Sequence, residues 1–303
     1  MIDFYSLSLR DREWVTHRLL EDDRQACEYS FANNFLWSDI YGVKMAKEQG
    51  CLILQFQDHQ KEEAHGEAHF CYTIPIGAGN RKGALDALLA EAQAKGQELV
   101  LSTLMQSDLD WLEQNYPGKY TVETSRDDYD YVYSTEKLST LSGRKLHGKR
   151  NHIARFKDDN NWMYRDMMPE DAGECMRLLD VWKEAESENW NDEMENELHI
   201  NRIALRNLAD LVLDGGMLYK GGRLVAFSIG EPLNSDTYVV HIEKALASVQ
   251  GAYPMINQQF VLHNCQEYAY VNREEDTGDE GLRKAKLSYQ PVLLVEKYEA
   301  RFH

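Results

Sequence analysis

The sequence predicts an α/β (α+β) fold of two tandem units, each a mixed, mostly antiparallel sheet flanked by helices. Three observations carry this reading. The 303 residues exceed what one small core holds, and division into two domains of about 150 residues follows from that length. One order of apolar strands and amphipathic helices runs twice along the chain. Between the two runs lies a concentrated basic stretch, "SGRKLHGKRNHIARF" (142–156), in a chain whose net charge is −18.

The first run begins with helical segments over residues 11–40. "CLILQFQ" (51–57) and "HFCYTIPIG" (69–77) then read as strands around a polar hairpin tip. "RKGALDALLAEAQAKG" (81–96) has helical spacing and a terminal glycine, a common helix stop. "ELVLSTLM" is a strand, "SDLDWLEQNY" a short helix capped by Ser107, and "KYTVETS" and "YDYVYST" are further strands.

In the second run, helical patterns at 169–184 and 194–212 precede "GMLYK" and "RLVAFSIGEPL", which flank Gly221-Gly222, a strong hairpin signal. "DTYVVHIEKA" is a strand and "YPMINQQFVLHNCQ" a helix with Pro254 near its first turn. "EYAYVNRE" is a strand, "GDEGLRKAKLSY" a short helix and "PVLLVEKYEARF" a closing strand. The expected domains are therefore 1–140 and 161–303, joined by a basic linker helix at 141–160 with the boundary near "DDNNW".

Composition is that of a globular chain, with 43% hydrophobic and 28% charged residues and a generous supply of aromatics that argues against disorder. The acidic surplus opposes nonspecific attachment to DNA or anionic membranes. The N-terminal "MIDFYSLSLRDREW" lacks the pattern of a secretory signal, and no apolar run reaches the length of a membrane helix. Five scattered cysteines without a CxxC pair suit reduced thiols, so a cytoplasmic location is expected.

Several stretches resemble a bacterial family related to the C-terminal domain of phosphatidylglycerol lysyltransferase: "LSGRKLHGKRNHIARF" (141–156), "HIEKA" (241–245), "GAYPMINQQF" (251–260) and "NREEDTGDEGLRKAKLSYQP" (272–291). They cover about a third of the chain. The element order is similar to that of tandem acyl-CoA N-acyltransferase (GNAT) folds and Fem-type aminoacyl transferases. The resemblance implies transfer of an acyl or aminoacyl group from an anionic donor, an aminoacyl-tRNA or a coenzyme A thioester, to an amine or hydroxyl acceptor. It implies no tightly bound cofactor. The chain lacks the long membrane region of the lipid-modifying members, which sets a lipid acceptor apart from what the likeness implies.

Four clusters are candidate sites. In the basic stretch, Arg144, Lys145, Lys149, Arg150, Asn151 and His152 read either as an anion site or as a solvated linker docked on acidic surfaces. Gln250, Gly251, Ala252 and Tyr253 open a helix where phosphates often bind, although the spacing departs from the usual pyrophosphate signature; Asn257 then pairs locally or joins the site. Strand alternation puts His241 and Glu243 on one face, Glu243 as a general base with His241 orienting it. The alternative is an ion pair of Glu243 with Arg283 or Arg150. In the last cluster Asn272, Arg273, Glu274 and Asp276 end a strand as acceptor-binding or structural groups, Asp279 caps the next helix, and Arg283 and Lys286 meet an anion. The acids at 274–280 fit no EF-hand spacing, and His59, His65 and His69 read as a solvated hairpin tip, so no metal is expected. "GAGNRKG" (77–83) is either a vestigial phosphate loop or a plain glycine-rich turn. A non-catalytic reading stays open throughout: the same cleft would hold an anionic metabolite, a lipid headgroup or an RNA end.

Overall fold

A computed structural model describes residues 1–57 and 69–303. His59 and His65 lie outside the described residues; His69 is exposed. Among the described residues there are fourteen strands. They are β1 (Tyr5–Ser6), β2 (Lys44–Glu48), β3 (Cys51–Gln57), β4 (Phe70–Tyr72), β5 (Leu99–Leu104), β6 (Tyr120–Thr124) and β7 (Asp130–Ser134). There follow β8 (Trp162–Asp166), β9 (Asp214–Lys220), β10 (Arg223–Pro232), β11 (Thr237–Ala245), β12 (Tyr270–Asn272), β13 (Leu293–Val295) and β14 (Tyr298–Phe302). Of these, β1, β2 and β8 are not among the strands read from the sequence.

The strands form two seven-stranded sheets, β1-β2-β3-β4-β5-β14-β6 and β8-β9-β10-β11-β12-β7-β13, which share one pattern. β4–β5 in the first and β11–β12 in the second are parallel pairs, whereas β1–β2, β2–β3, β3–β4, β5–β14, β14–β6, β8–β9, β9–β10, β10–β11 and β12–β7 are antiparallel. Gly221 and Gly222 both take positive φ (60° and 75°), the mirror-image turn that matches strand twist, and join β9 to β10. The helix Arg81–Lys95 ends on Gly96 in the left-handed conformation, as its sequence predicts. The helix Gln106–Asn115 starts on Met105, whose N–H donates to Asp108, rather than on a Ser107 cap.

The domain boundaries differ from expectation. One compact unit comprises Met1–Asp130 with Val295–His303, and the other Tyr131–Leu294. The closing segment 291–302 is two strands, not one. β14 leaves the second sheet and inserts between β5 and β6, with Tyr298 opposite Leu104 and Phe302 opposite Leu99 and Tyr120. Buried Lys297 fixes the change of direction, with Nζ 2.6 Å from Glu28 and 2.7 Å from Asp130. Conversely β7, read as part of the first run, pairs with β12 in the second sheet. The basic helix (His147–Lys157, preceded by a 3-10 turn at Arg144–Leu146) is therefore part of the second unit and not a linker. It buries Leu146, Ile153 and Phe156 in a core shared with Tyr131, Tyr133, Tyr238 and Phe260. The first unit has its own core around Ile53, Ile74, Leu85, Leu101 and Phe302.

Candidate functional site

The site of the second unit is built on β11. Along the β10–β11 ladder Ile229 faces Ile242 and Gly230 faces Val240, which leaves His241 as the extra residue of a bulge. Gly230 suits this place because a Cβ there would lie 2.3 Å from the Val239 carbonyl oxygen. The bulge turns His241 into a buried position between two carboxylates. Nδ1 lies 2.8 Å from Glu274 and Nε2 3.1 Å from Glu231. Both ring nitrogens face acceptors, so both carry protons. Burial opposes the charge, but the hydrogen bonds to Glu231 and Glu274 prevail and push the imidazole up to about 10. Glu274 reaches His241 from a backbone at φ 58°, in the left-handed region, its N–H donating to Asn272 Oδ1 at 2.7 Å.

Glu243, on the same strand, is engaged at both oxygens. Arg273 Nη2 donates to Oε1 and Asn257 Nδ2 to Oε2, each at 2.9 Å. The ion pair foreseen for Glu243 thus exists, but its partner is Arg273. Arg150 instead donates to the Leu141 and Gly143 carbonyls, and Arg283 chelates Asp276. The Arg273 guanidinium stacks 4.8 Å from the Tyr289 ring, and Lys149 Nζ sits 4.0 Å from the same ring. Burial lowers the Lys149 pKa, the nearby Arg273 lowers it further, and Glu243 partly offsets both. Arg273 thus pairs directly with Glu243, while Lys149 feels that charge without an ion pair. Asn257 Oδ1 and Arg273 Nη1 are buried without a hydrogen-bond partner, an acceptor and a donor left over beside Glu243.

The rest of the basic stretch faces outward. Arg144, Lys145, His147, Asn151, His152 and Arg155 are exposed, and Asn151 Nδ2 approaches His147 Nδ1 at 3.3 Å. Among the described residues, none of the six Lys/Arg between 144 and 157 forms an ion pair with an acid, whereas cations elsewhere commonly do. The helix lies against the Gly251 loop. Gly251 has φ 84°, and a Cβ there would come within 2.4 Å of the His152 carbonyl oxygen. At the start of the helix Ala252–Asn264, Ala252 N–H donates to Val249, Met255 N–H to Gly251, and Pro254 has none. Among the described residues this leaves the Tyr253 N–H without such an acceptor. Gln250 is exposed, and the Tyr253 hydroxyl meets the Ala245 backbone N–H.

The cluster at 272–286 organises its own loop. Asp279 caps the helix Glu280–Leu287, as expected. Asp276 is buried; the hydrogen bonds from Arg283 and Tyr131 outweigh burial and hold it well below the usual carboxylate range. Lys286 is buried and donates to the carbonyls of Arg273, Glu274 and Glu275, so neither it nor Arg283 presents a free cation. Sequence reasoning missed Glu231, Tyr133 and Tyr289. A carboxylate two residues before the end of an apolar strand, in "SIGEPL", is the one local signal for Glu231.

In the first unit, the "GAGNRKG" turn has its donors satisfied from within. Gly77 N–H donates to Asp22 at 3.2 Å and Ala78 N–H to Glu21 at 2.9 Å, and Arg81 pairs with Asp22 at 2.6 Å. The Ala78 hydrogen bond holds Glu21 below its ordinary range. The glycine-rich-turn reading describes this arrangement, with the carboxylates that end the helix Arg12–Asp22 taking up the backbone donors.

The profile of the family described as "Phosphatidylglycerol lysyltransferase, C-terminal" matches residues 21–301. A crystal structure of a conserved protein of unknown function from Bacteroides thetaiotaomicron VPI-5482 is 35% identical, covers 100% of both chains and superposes with a TM-score of 0.92. L-PGS from Bacillus licheniformis is 16% identical, covers 94% of this chain and 90% of its own, and has a TM-score of 0.62. FemX is 9% identical over 98% of this chain and 97% of its own, at 0.60; these two likenesses concern the fold. An uncharacterised protein of Mycoplasmoides gallisepticum is 24% identical over 215 residues, 67% of this chain, and the match spans 64% of that protein's length. The match over residues 21–301, nearly the whole chain, makes this chain a member of the family of the phosphatidylglycerol lysyltransferase C-terminal domain.

Proposed function

We propose that this chain transfers an aminoacyl or acyl group from an anionic donor to an amine or hydroxyl acceptor, and that the donor is the end of an aminoacyl-tRNA. The observation that carries the choice of donor is the row of exposed cations at Arg144, Lys145 and Arg155, without acidic partners in a chain of net charge −18. An extended polyanion matches such a row, whereas a coenzyme A pyrophosphate needs a set of free N–H groups at one helix start. Family membership and the Fem-like fold support the transferase reading.

In this reading Lys149 and Arg273 hold the reacting end of the donor, and Arg273 Nη1 is the donor nearest its carbonyl. Glu243 braces Arg273 and Asn257, and is a positioning residue before it is a base. The attack then draws its rate chiefly from alignment, which is worth several kcal/mol in well-oriented reactants. A second reading, a non-catalytic holder of an RNA end or another anion, is favoured by the full engagement of Glu243.

The test is fluorescence-anisotropy titration of a charged tRNA over a salt series. Binding weakens steeply with salt, and Arg144→Gln/Lys145→Gln/Arg155→Gln together reduce the log–log slope by about 2. Absence of tRNA binding at low salt, with thermal stabilisation by coenzyme A instead, overturns the choice of donor. Binding with no aminoacyl transfer to any amine or hydroxyl acceptor favours the holder. Among the described residues no helix is long and apolar enough to cross a membrane.

A further inference from the structure

We propose that Cys27 and Lys297 are a site of oxidative cross-linking, joined through a single oxygen atom as an S–O–N bridge. The two lie 270 positions apart, yet Lys297 Nζ is 3.6 Å from Cys27 Sγ inside the first unit. Both are buried, at 2% and 5% exposure. The gap exceeds the span of a bent S–O–N unit, and movement of the flexible lysine stem toward the sulfur closes the difference.

The surroundings supply the proton chemistry. Asp130 contacts both groups, Oδ1 lying 3.5 Å from the sulfur and 2.7 Å from the ammonium. Glu28 does the same, with Oε2 3.5 Å from Sγ and Oε1 2.6 Å from Nζ. The Cys27 N–H donates to Asp130 Oδ2 at 2.8 Å, which fixes the thiol against these carboxylates. The five cysteines are free, and burial slows larger oxidants at this sulfur while dioxygen diffuses through a packed interior.

The step balances with dioxygen as oxidant. The lysine first passes its ammonium proton to one of the two carboxylates. The thiol S–H and one amine N–H then break, and one oxygen atom forms the S–O and O–N bonds. The other oxygen leaves as water with the two hydrogens. Sulfur and nitrogen each lose two electrons, and dioxygen gains four. Two equivalents of a dithiol reductant reverse the reaction and regenerate thiol, amine and water. The bridge ties the segment after the first helix to the approach of β14, so it locks the returning strand into its sheet.

Mass spectrometry of the intact chain tests the proposal. After purification in air, a population about 14 Da heavier than the dithiothreitol-treated chain is expected, one oxygen gained and two hydrogens lost. Tryptic digestion then yields peptides 25–44 and 287–301 as one linked species. Lys297→Arg keeps the charge but removes the primary amine, and abolishes both signals, as does Cys27→Ser. Should either variant fail to fold, the reductant-reversible linked peptide in the unaltered chain decides alone. No mass change on exposure to air overturns the proposal. So does a gain of about 16 or 32 Da confined to Cys27, which marks ordinary sulfur oxidation.

Discussion

Replacing Gly251 by alanine tests whether the basic helix and the loop after β11 form one rigid piece. Two terms add. Gly251 has φ 84°, and holding an L-residue in a left-handed conformation costs about 1 kcal/mol. The new Cβ would also stand 2.4 Å from the His152 carbonyl oxygen and 3.2 Å from the Phe156 Cβ, both on the basic helix. A backbone carbonyl cannot rotate aside, so the helix moves outward and loosens the packing of Ile153 and Phe156; overpacking of this kind costs about 2 kcal/mol. The sum is about 3 kcal/mol. Gly222→Ala is the control: its φ is 75°, with no atom within 4 Å of the added carbon, so it carries the backbone term alone. Urea unfolding monitored by hydrogen exchange of the amides at 147–157 reads both. The expected result is faster exchange across the basic helix in Gly251→Ala and unchanged exchange there in Gly222→Ala. Equal destabilisation by the two variants, with the helix protected in both, refutes the reasoning.

Three further outcomes follow from the same geometry. Glu243→Gln removes the charge that compensates buried Arg273 and lowers stability by about 3 kcal/mol, read as a shift in the urea midpoint; an unchanged midpoint shows that the pair is not structural. His241, pushed up to about 10, contributes stability that is fully present below the ordinary imidazole pKa and lost as pH rises through 10. Thermal melts should therefore fall from pH 7 to pH 10.5, and His241→Asn should remove this share of the slope; parallel curves for the two proteins refute it. Truncation after Leu294 removes β14, including buried Ala300 and Phe302, and should abolish exchange protection in β5 and β6 while β10 and β11 keep theirs.

What the sequence disclosed follows the range of the interactions. The Gly221-Gly222 hairpin, the Gly96 helix stop and the Asp279 cap are set within a few residues, and each appears where it was read. β1 and β8 are short edge strands whose alternation is too brief to see. At the site, alternation suggested a shared face for His241 and Glu243, but the bulge that frees His241 depends on the neighbouring strand. The partner of Glu243 was open for the same reason: Arg273, Arg283 and Arg150 are chemically alike in a string of letters. Only the positions of β12 and the final helix decide among them. Likewise Lys286 reads as a surface cation, yet three carbonyls of the 273–275 loop turn toward it.

The placement of β14 has a consequence for biosynthesis. Its ladder partners β5 and β6 emerge from the ribosome long before it does, so they present open edges through most of translation. The half made first is thus the half completed last, while residues 131–294 hold every strand interior to their own sheet. A nascent chain halted before residue 295 should be a chaperone client through its amino-terminal portion, the reverse of the order in which domains generally mature.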